Sequence, residues 1–261
     1  MRYIKIFCEQ CKLSVMSAAM YRANFWLMLV QSFINTAMGI LCIEFIYGSV
    51  DSIAGWGKGE MLVLICTAMV VNQIYRNFIH WNQNRFINAI GNGNLDKMLL
   101  RPVNLIFQAN TGRVDISGII SISAPLFILI YQILVAGFSI NAVNLGLYIL
   151  FLFNGVLILS SFMLLLYSSA FVFIQVGGLE NIYYIIMDIA EKPEEMFSRN
   201  LFYGFVFLIP AIPIANAPVS VLIGKGDWVF MLIYLGIGLL FAVLSFTAIR
   251  LGLKRYTSAS S

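Results

Sequence analysis

An all-α integral membrane protein, with six transmembrane helices and an amphipathic interfacial helix at its N-terminus, is the fold class that three observations predict. The 261 residues are 61% hydrophobic and only 11% charged, whereas soluble domains carry about 25% charged residues. The run 116–179 contains no Asp, Glu, Lys, Arg or His. A crossing helix needs about 20 apolar residues, so that run holds two spans with a turn near 139–144. Finally, Lys and Arg alternate in density between successive loops in the way that a multi-pass chain requires.

The chain reads as a single transmembrane domain, 1–261. Residues 1–23 form the interfacial helix. Ile4, Phe7, Cys11, Val15 and Ala18 step onto one face, and Arg2, Lys5, Glu9 and Lys12 onto the other, the pattern of a helix lying in the headgroup plane. A frayed cytosolic tail is the alternative. The segment is too long and too mixed in charge for a signal peptide. Six apolar segments follow, at about 24–47, 60–79, 116–138, 145–173, 201–223 and 228–249. With this division 14 of the 16 Lys and Arg fall on one side, and Lys58 and Lys225 on the other. The excess marks the cytoplasm, which places both termini there, and it retains the fifth segment despite Pro210, Pro213 and Pro218.

The cytoplasmic loop 85–113 carries the most unusual segment, 91–103. Gly91 and Gly93 stop any helix descending from span two, and Asn94 is a suitable N-cap. Residues 95–100 can form one and a half turns with Leu95, Met98 and Leu99 on one face. Arg101 precedes Pro102, which disfavours helix there. So short a helix is unstable alone; it requires the membrane surface, the rest of the chain or a partner. An ordinary interfacial turn is the plain alternative.

The order of Gly93, Leu95, Asp96, Leu99, Leu100, Arg101, Pro102, Val103 and then Gln108 resembles the loop between spans two and three of ABC-2-type transporter permeases, six-span membrane subunits of ABC exporters. The resemblance extends over nearly the whole chain. It includes the amphipathic N-terminal helix, an acidic connector before span five and a proline-interrupted fifth span. One departure is Lys192-Pro193, where the family has an aromatic or apolar residue before proline. The resemblance implies the ABC-2 (type V exporter-like) architecture. It also implies that Leu95, Asp96, Met98, Leu99, Leu100, Arg101 and Pro102 couple the chain to a separate ATP-binding-cassette ATPase, with a second permease, identical or related, completing the path. It further implies an outer hairpin after Pro210 that caps the path, and a bacterial cell membrane as the setting.

The chain offers no nucleotide site of its own. Gly57-Lys58 comes nearest to a phosphate-binding loop, but Ser52 and Gly59 stand where glycine and a hydroxyl residue are needed. ATP and Mg therefore belong to the partner, and this chain is expected to be no enzyme, to bind no cofactor or metal, and to have no nucleic-acid partner. Cys8-Glu-Gln-Cys11 lacks a second pair for metal binding. His80 reads as a boundary residue, and Cys42 and Cys66 as small apolar residues.

The connector 177–199, with Glu180, Asp188, Glu191, Glu194 and Glu195, reads either as a second contact with the ATPase or as a solvated surface helix. Gln31, Asn35 and Glu44, with Pro210, Pro213 and Pro218, are candidates for the path or its gate. Helix-to-helix bonding is the plainer reading for most of Gln31, Asn35, Asn72, Gln73, Gln132 and Asn154, and Glu44 could instead reach water at the outer interface. A rival to the exporter subunit is a secondary transporter or multi-span scaffold working without ATP. Such transporters usually carry inverted repeats and ionisable residues at mid-membrane, which are not evident here. The substrate is open: an amphipathic molecule and a threaded glycan both suit an apolar path.

Overall fold

The computed structural model describes residues 2–20, 22–111, 117–135, 138, 141–173 and 178–256. Arg113, Ser139 and Gly177, used above to bound the loops, lie outside the described residues. Among those described, the chain is helical, apart from one isolated bridge between Ile53 and Trp56.

Helix α1 (Arg2–Met20) leads into α2 (Arg22–Tyr47). Trp26, Leu27, Phe33, Met38, Leu41 and Phe45 on α2 are exposed, as an apolar helix in a membrane can afford to be. After a loop held by the Ile53–Trp56 bridge, α3 (Lys58–Gly91) runs for 34 residues. At about 1.5 Å per residue it spans the molecule and defines two ends, one at Trp56 and one at Arg101. Its first part is almost entirely buried. It opens into a π turn at Arg76–His80 before returning to α-geometry.

Four residues of helix, α4 (Asp96–Leu99), and then α5 (Leu105–Thr111) form the Arg101 end. Helix α6 (Ser117–Val135) packs on α2 and α3. Helix α7 (Ala142–Phe171) begins at Asn141, whose side chain accepts the Asn144 N–H, and lies against α3. Helix α8 (Leu179–Ala190) turns Tyr183, Ile186, Met187, Ile189 and Ala190 inward.

The fifth segment breaks at Pro210, where the hairpin is expected to begin. Helices α9 (Arg199–Leu208) and α10 (Ile212–Ile223) meet at 106° across Pro210. Pro213 sits in the first turn of α10, where its missing N–H costs nothing. Residues Ile212–Leu222 of α10 are buried throughout, and the backbone of α10 rests directly on Gly155 of α7. Helix α11 (Trp228–Arg255), capped by Asp227, closes the fold against α7. Among the described residues, four helices are individually long and apolar enough to cross a membrane: α2, α3, α7 and α11. The bent pair α9–α10 makes up to a fifth, and Ile120–Val135 is apolar but shorter.

The connector departs most from expectation. Its start lies near the Arg101 end of α3. Asn84 donates to Glu180 at 3.0 Å, and the Tyr183 ring stacks on His80 with centroids 5.5 Å apart. Its finish lies at the opposite end, where Trp56 donates to Glu195 and Tyr234 to Glu194, both at 2.7 Å. A solvated surface helix does not describe such a stretch, whose inner face is buried along its length. An apolar inner face on α8 lets it pack among α3 and α10, and aromatic donors take up the acids that follow.

Candidate functional site

The loop at the Arg101 end is built in two layers. Gly93 takes a left-handed conformation, φ 65°, so glycine suits the turn. Asn94 does not cap α4; its side-chain amide donates back to the Asn92 carbonyl, and Leu95 holds the cap position without a side-chain bond. Leu95 is 0% exposed and Met98 is also buried, so two of the three apolar residues expected on a docking face point into the chain's own core. Leu99 and Leu100 point outward, with Leu100 at 84% exposure. Lys97, Arg101 and Pro102 are exposed beside them, and Asp96 is half-buried.

Gln108 holds this arrangement in place. Its amide nitrogen donates to the Met98 carbonyl at 3.0 Å and to the Val103 carbonyl at 2.9 Å, fastening both sides of the Arg101–Pro102 turn to α5. Helix α5 is capped by Asn104, whose side chain accepts the Ile106 N–H at 2.8 Å. A second clamp lies deeper. Gln83, fully buried, accepts from the Tyr75 hydroxyl at 2.9 Å and donates to Asn110 at 2.9 Å and to the Ser160 carbonyl at 2.8 Å. One side chain thus joins α3, α5 and α7. The motif includes Gln108 without saying what it does, and Gln83 does not stand out by sequence alone, since one amide among apolar residues looks like any other.

The expected path residues are not brought together. Gln31 and Asn35 lie on the exposed side of α2 and line a small cavity with α3 and α6. Glu44, at the Trp56 end, is ion-paired with Lys58 at 2.5 Å, both side chains being about half exposed. Nearby, Lys225 at the end of α10 pairs with Glu60 at 2.8 Å. Pro210, Pro213 and Pro218 are buried in the hairpin. Among the helix-bonding candidates, Asn154 donates to the Tyr234 carbonyl at 2.9 Å, and Asn72 accepts from the Tyr183 hydroxyl.

A residue that stood out less ties the hairpin to the connector. Asn216, fully buried, accepts the Glu194 N–H and donates to the Lys192 carbonyl, both at 3.0 Å. Burial raises the Glu194 carboxyl above the ordinary range, against the lowering effect of the Tyr234 bond. Burial, reinforced by Asp188 and opposed by Lys192, pushes Glu191 up to about 7.

An acid with a raised folded-state pKa binds more protons folded than unfolded between its two pKa values. Stability from Glu191 is therefore present at low pH and is lost as pH rises from about 4.5 to about 7. The Glu191→Gln variant is expected to be the more stable protein at pH 8, and the difference from wild type should vanish near pH 4.5. Thermal unfolding of both proteins across that range measures it; equal pH profiles would contradict the assignment.

Among the described residues, no cluster of three His, Cys, Asp or Glu could hold a metal ion. Comparison with known families matches residues 33–260 to the family described as ABC-2 family transporter protein. No curated protein matches the chain, and no solved structure does.

Proposed function

As the chain belongs to the ABC-2 transporter family, we propose that it is the permease subunit of an ABC exporter in a cell membrane, moved by a separate ATPase that docks on α4 at the Arg101 end. The observation that carries this reading is the orientation of α4. Leu95 and Met98 anchor it inward and Gln108 fixes the following turn, while Lys97, Leu99, Leu100, Arg101 and Pro102 form an exposed apolar patch edged by cations. Large apolar side chains at such exposure on a loop suit a partner's groove, and the flanking charges suit its register. Asp96 would contribute a further polar contact at the rim.

The cytoplasmic placement of this end rests on charge. With Lys192 and Arg199 assigned to the Trp56 end along with their connector, 12 Lys and Arg remain at the Arg101 end and four at the other, still a strong bias toward one side. Both termini are then cytoplasmic. A second permease, identical or related, supplies the other half of the path. ATP and Mg are held by the ATPase, whose closure displaces α4. That displacement passes through Gln108 and Gln83 to α7, where it reaches the hairpin α9–α10. Gln31, Asn35 and Glu44, and the hairpin with Pro210, Pro213 and Pro218, are the path and gate elements in this mechanism.

Co-purification tests the docking. Wild-type protein from its native host is expected to bring down a nucleotide-hydrolysing subunit, while Leu100→Asp and Arg101→Glu each lose it by about tenfold or more, as for interface anchors worth above about 1.4 kcal/mol. Both variants should retain wild-type thermal unfolding, because neither side chain is buried. Undiminished ATPase recovery in both would refute the assignment.

A further inference from the structure

A polar cavity of about 100 Å³ lies between α2, α6 and the π turn of α3. Its floor is internally satisfied. Asn77 donates to the Gly118 carbonyl at 2.7 Å and to the Ser121 hydroxyl at 3.0 Å, and Ser121 donates to Gln73 at 3.1 Å. Three other lining side chains, Gln31, Asn35 and Arg76, have no hydrogen bond or ion pair among the described residues. Gln31 and Asn35 are one helical turn apart on α2, and Arg76 faces them from the first position of the π turn. Such turns recur at functional sites because they widen the helix and redirect side chains.

Arg76 is exposed where α3 leaves its apolar stretch, so its guanidinium is open to a partner from the membrane surface. No carboxylate pairs with Arg76 among the described residues. Its guanidinium can only donate, and its fork matches a phosphate or carboxylate. Two amides beside it add further donors. Together these donors suit an acceptor with several oxygens and one or more negative charges.

Size and surroundings narrow the ligand. The volume equals roughly three waters, enough for a phosphate, sulfonate or carboxylate group. Met28 and Trp81 add apolar surface to the lining, and exposed apolar residues of α2, such as Leu27 and Ile34, lie on the same helix as Gln31 and Asn35. An acyl or alkyl tail has a surface to follow and a free ion does not need one. We propose that this cavity binds the anionic head group of a membrane amphiphile, with its tail laid along α2.

The full chain, purified in dodecyl maltoside and mixed with dodecyl phosphate, tests this by native mass spectrometry. Wild-type protein is expected to retain a dodecyl phosphate. Arg76→Gln should reduce its occupancy by about tenfold, as for one charge-assisted pair, and Asn35→Leu should reduce it by a smaller factor. Arg85→Gln, which removes an exposed cation outside the cavity, should leave it unchanged. If Arg76→Gln does not fold, Arg76→Lys decides, because it keeps the charge and loses the fork; unchanged retention by it overturns the proposal. Equal retention by wild type and Arg76→Gln overturns it as well, as does equal loss in Arg85→Gln. Inorganic phosphate is expected not to displace the bound amphiphile. Displacement by inorganic phosphate alone would identify the ligand as a free anion and overturn the membrane source.

Discussion

Gly155→Leu is expected to unseat the hairpin and lower the unfolding temperature by several degrees. A Cβ at position 155 would stand 2.3 Å from the Ile214 carbonyl oxygen. The obstacle is backbone in a fully buried helix, so no rotamer change relieves it, and α10 must move away from α7. Close helix approach over glycine is how membrane helices gain packing without a hydrophobic driving force. Overpacking costs about 1–3 kcal/mol where side chains can adjust, and here the cost should reach or exceed the upper figure, a drop of about 6–12 °C. Gly146, on the same helix, has nothing within 4 Å of its added Cβ. Gly146→Leu is therefore the matched control and should change stability by less than about 0.5 kcal/mol. Thermal unfolding in detergent compares the two. Limited proteolysis should cut the hairpin earlier in Gly155→Leu alone, and equal behaviour of the two variants would contradict the packing described.

The second large effect is expected at Gln83. Leucine there has nearly the right volume, yet it deprives the Tyr75 hydroxyl, the Asn110 side chain and the Ser160 carbonyl of their shared partner. Each buried polar group left unsatisfied costs about 1–3 kcal/mol, so Gln83→Leu should lose roughly 3 kcal/mol or more. Its signature should separate it from a merely destabilised protein. With α5 no longer bonded to α3 through Gln83, amide exchange should rise across α5 and the Arg101 turn before it rises in α7. Hydrogen exchange followed by mass spectrometry reads this directly; a uniform increase over all helices would show that Gln83 is only a packing residue.

Much of this arrangement could be read from composition and spacing because membranes punish exceptions. Long uncharged runs have few solutions, and α2, α3, α7 and α11 lie where the apolar segments predict. Gly93 and Pro213 act locally, so their turn and helix start were foreseeable. Other features depend on contacts between distant residues. A stripe of Leu95, Met98 and Leu99 says that one face of α4 is apolar, but not that the chain's own core takes Leu95 and Met98. Asn94 suits a cap in isolation, and yet the tight turn at Gly93 sends its side chain backwards. The acids after α8 look solvated until Trp56 and Tyr234, far away in sequence, supply their donors. The cavity at Arg76 joins amides some 40 residues apart, with no local pattern to reveal it.

The connector carries a consequence of its own. Glu180 is tethered to Asn84 at one end of the molecule and Glu195 to Trp56 at the other, with only 14 residues between them. A stretch moored at both ends behaves as a tie-rod of fixed length. Trp56 flanks α3 and Asn84 lies within it, so the distance between the moorings stays fixed when α3 tilts, and Lys192–Pro193 is carried along with the helix. The hairpin hangs on that point through Asn216. A tilt of α3 would take the connector with it, and with the connector the Lys192 carbonyl and Glu194 N–H that hold Asn216, so the hairpin and the Trp56 end would travel as one body.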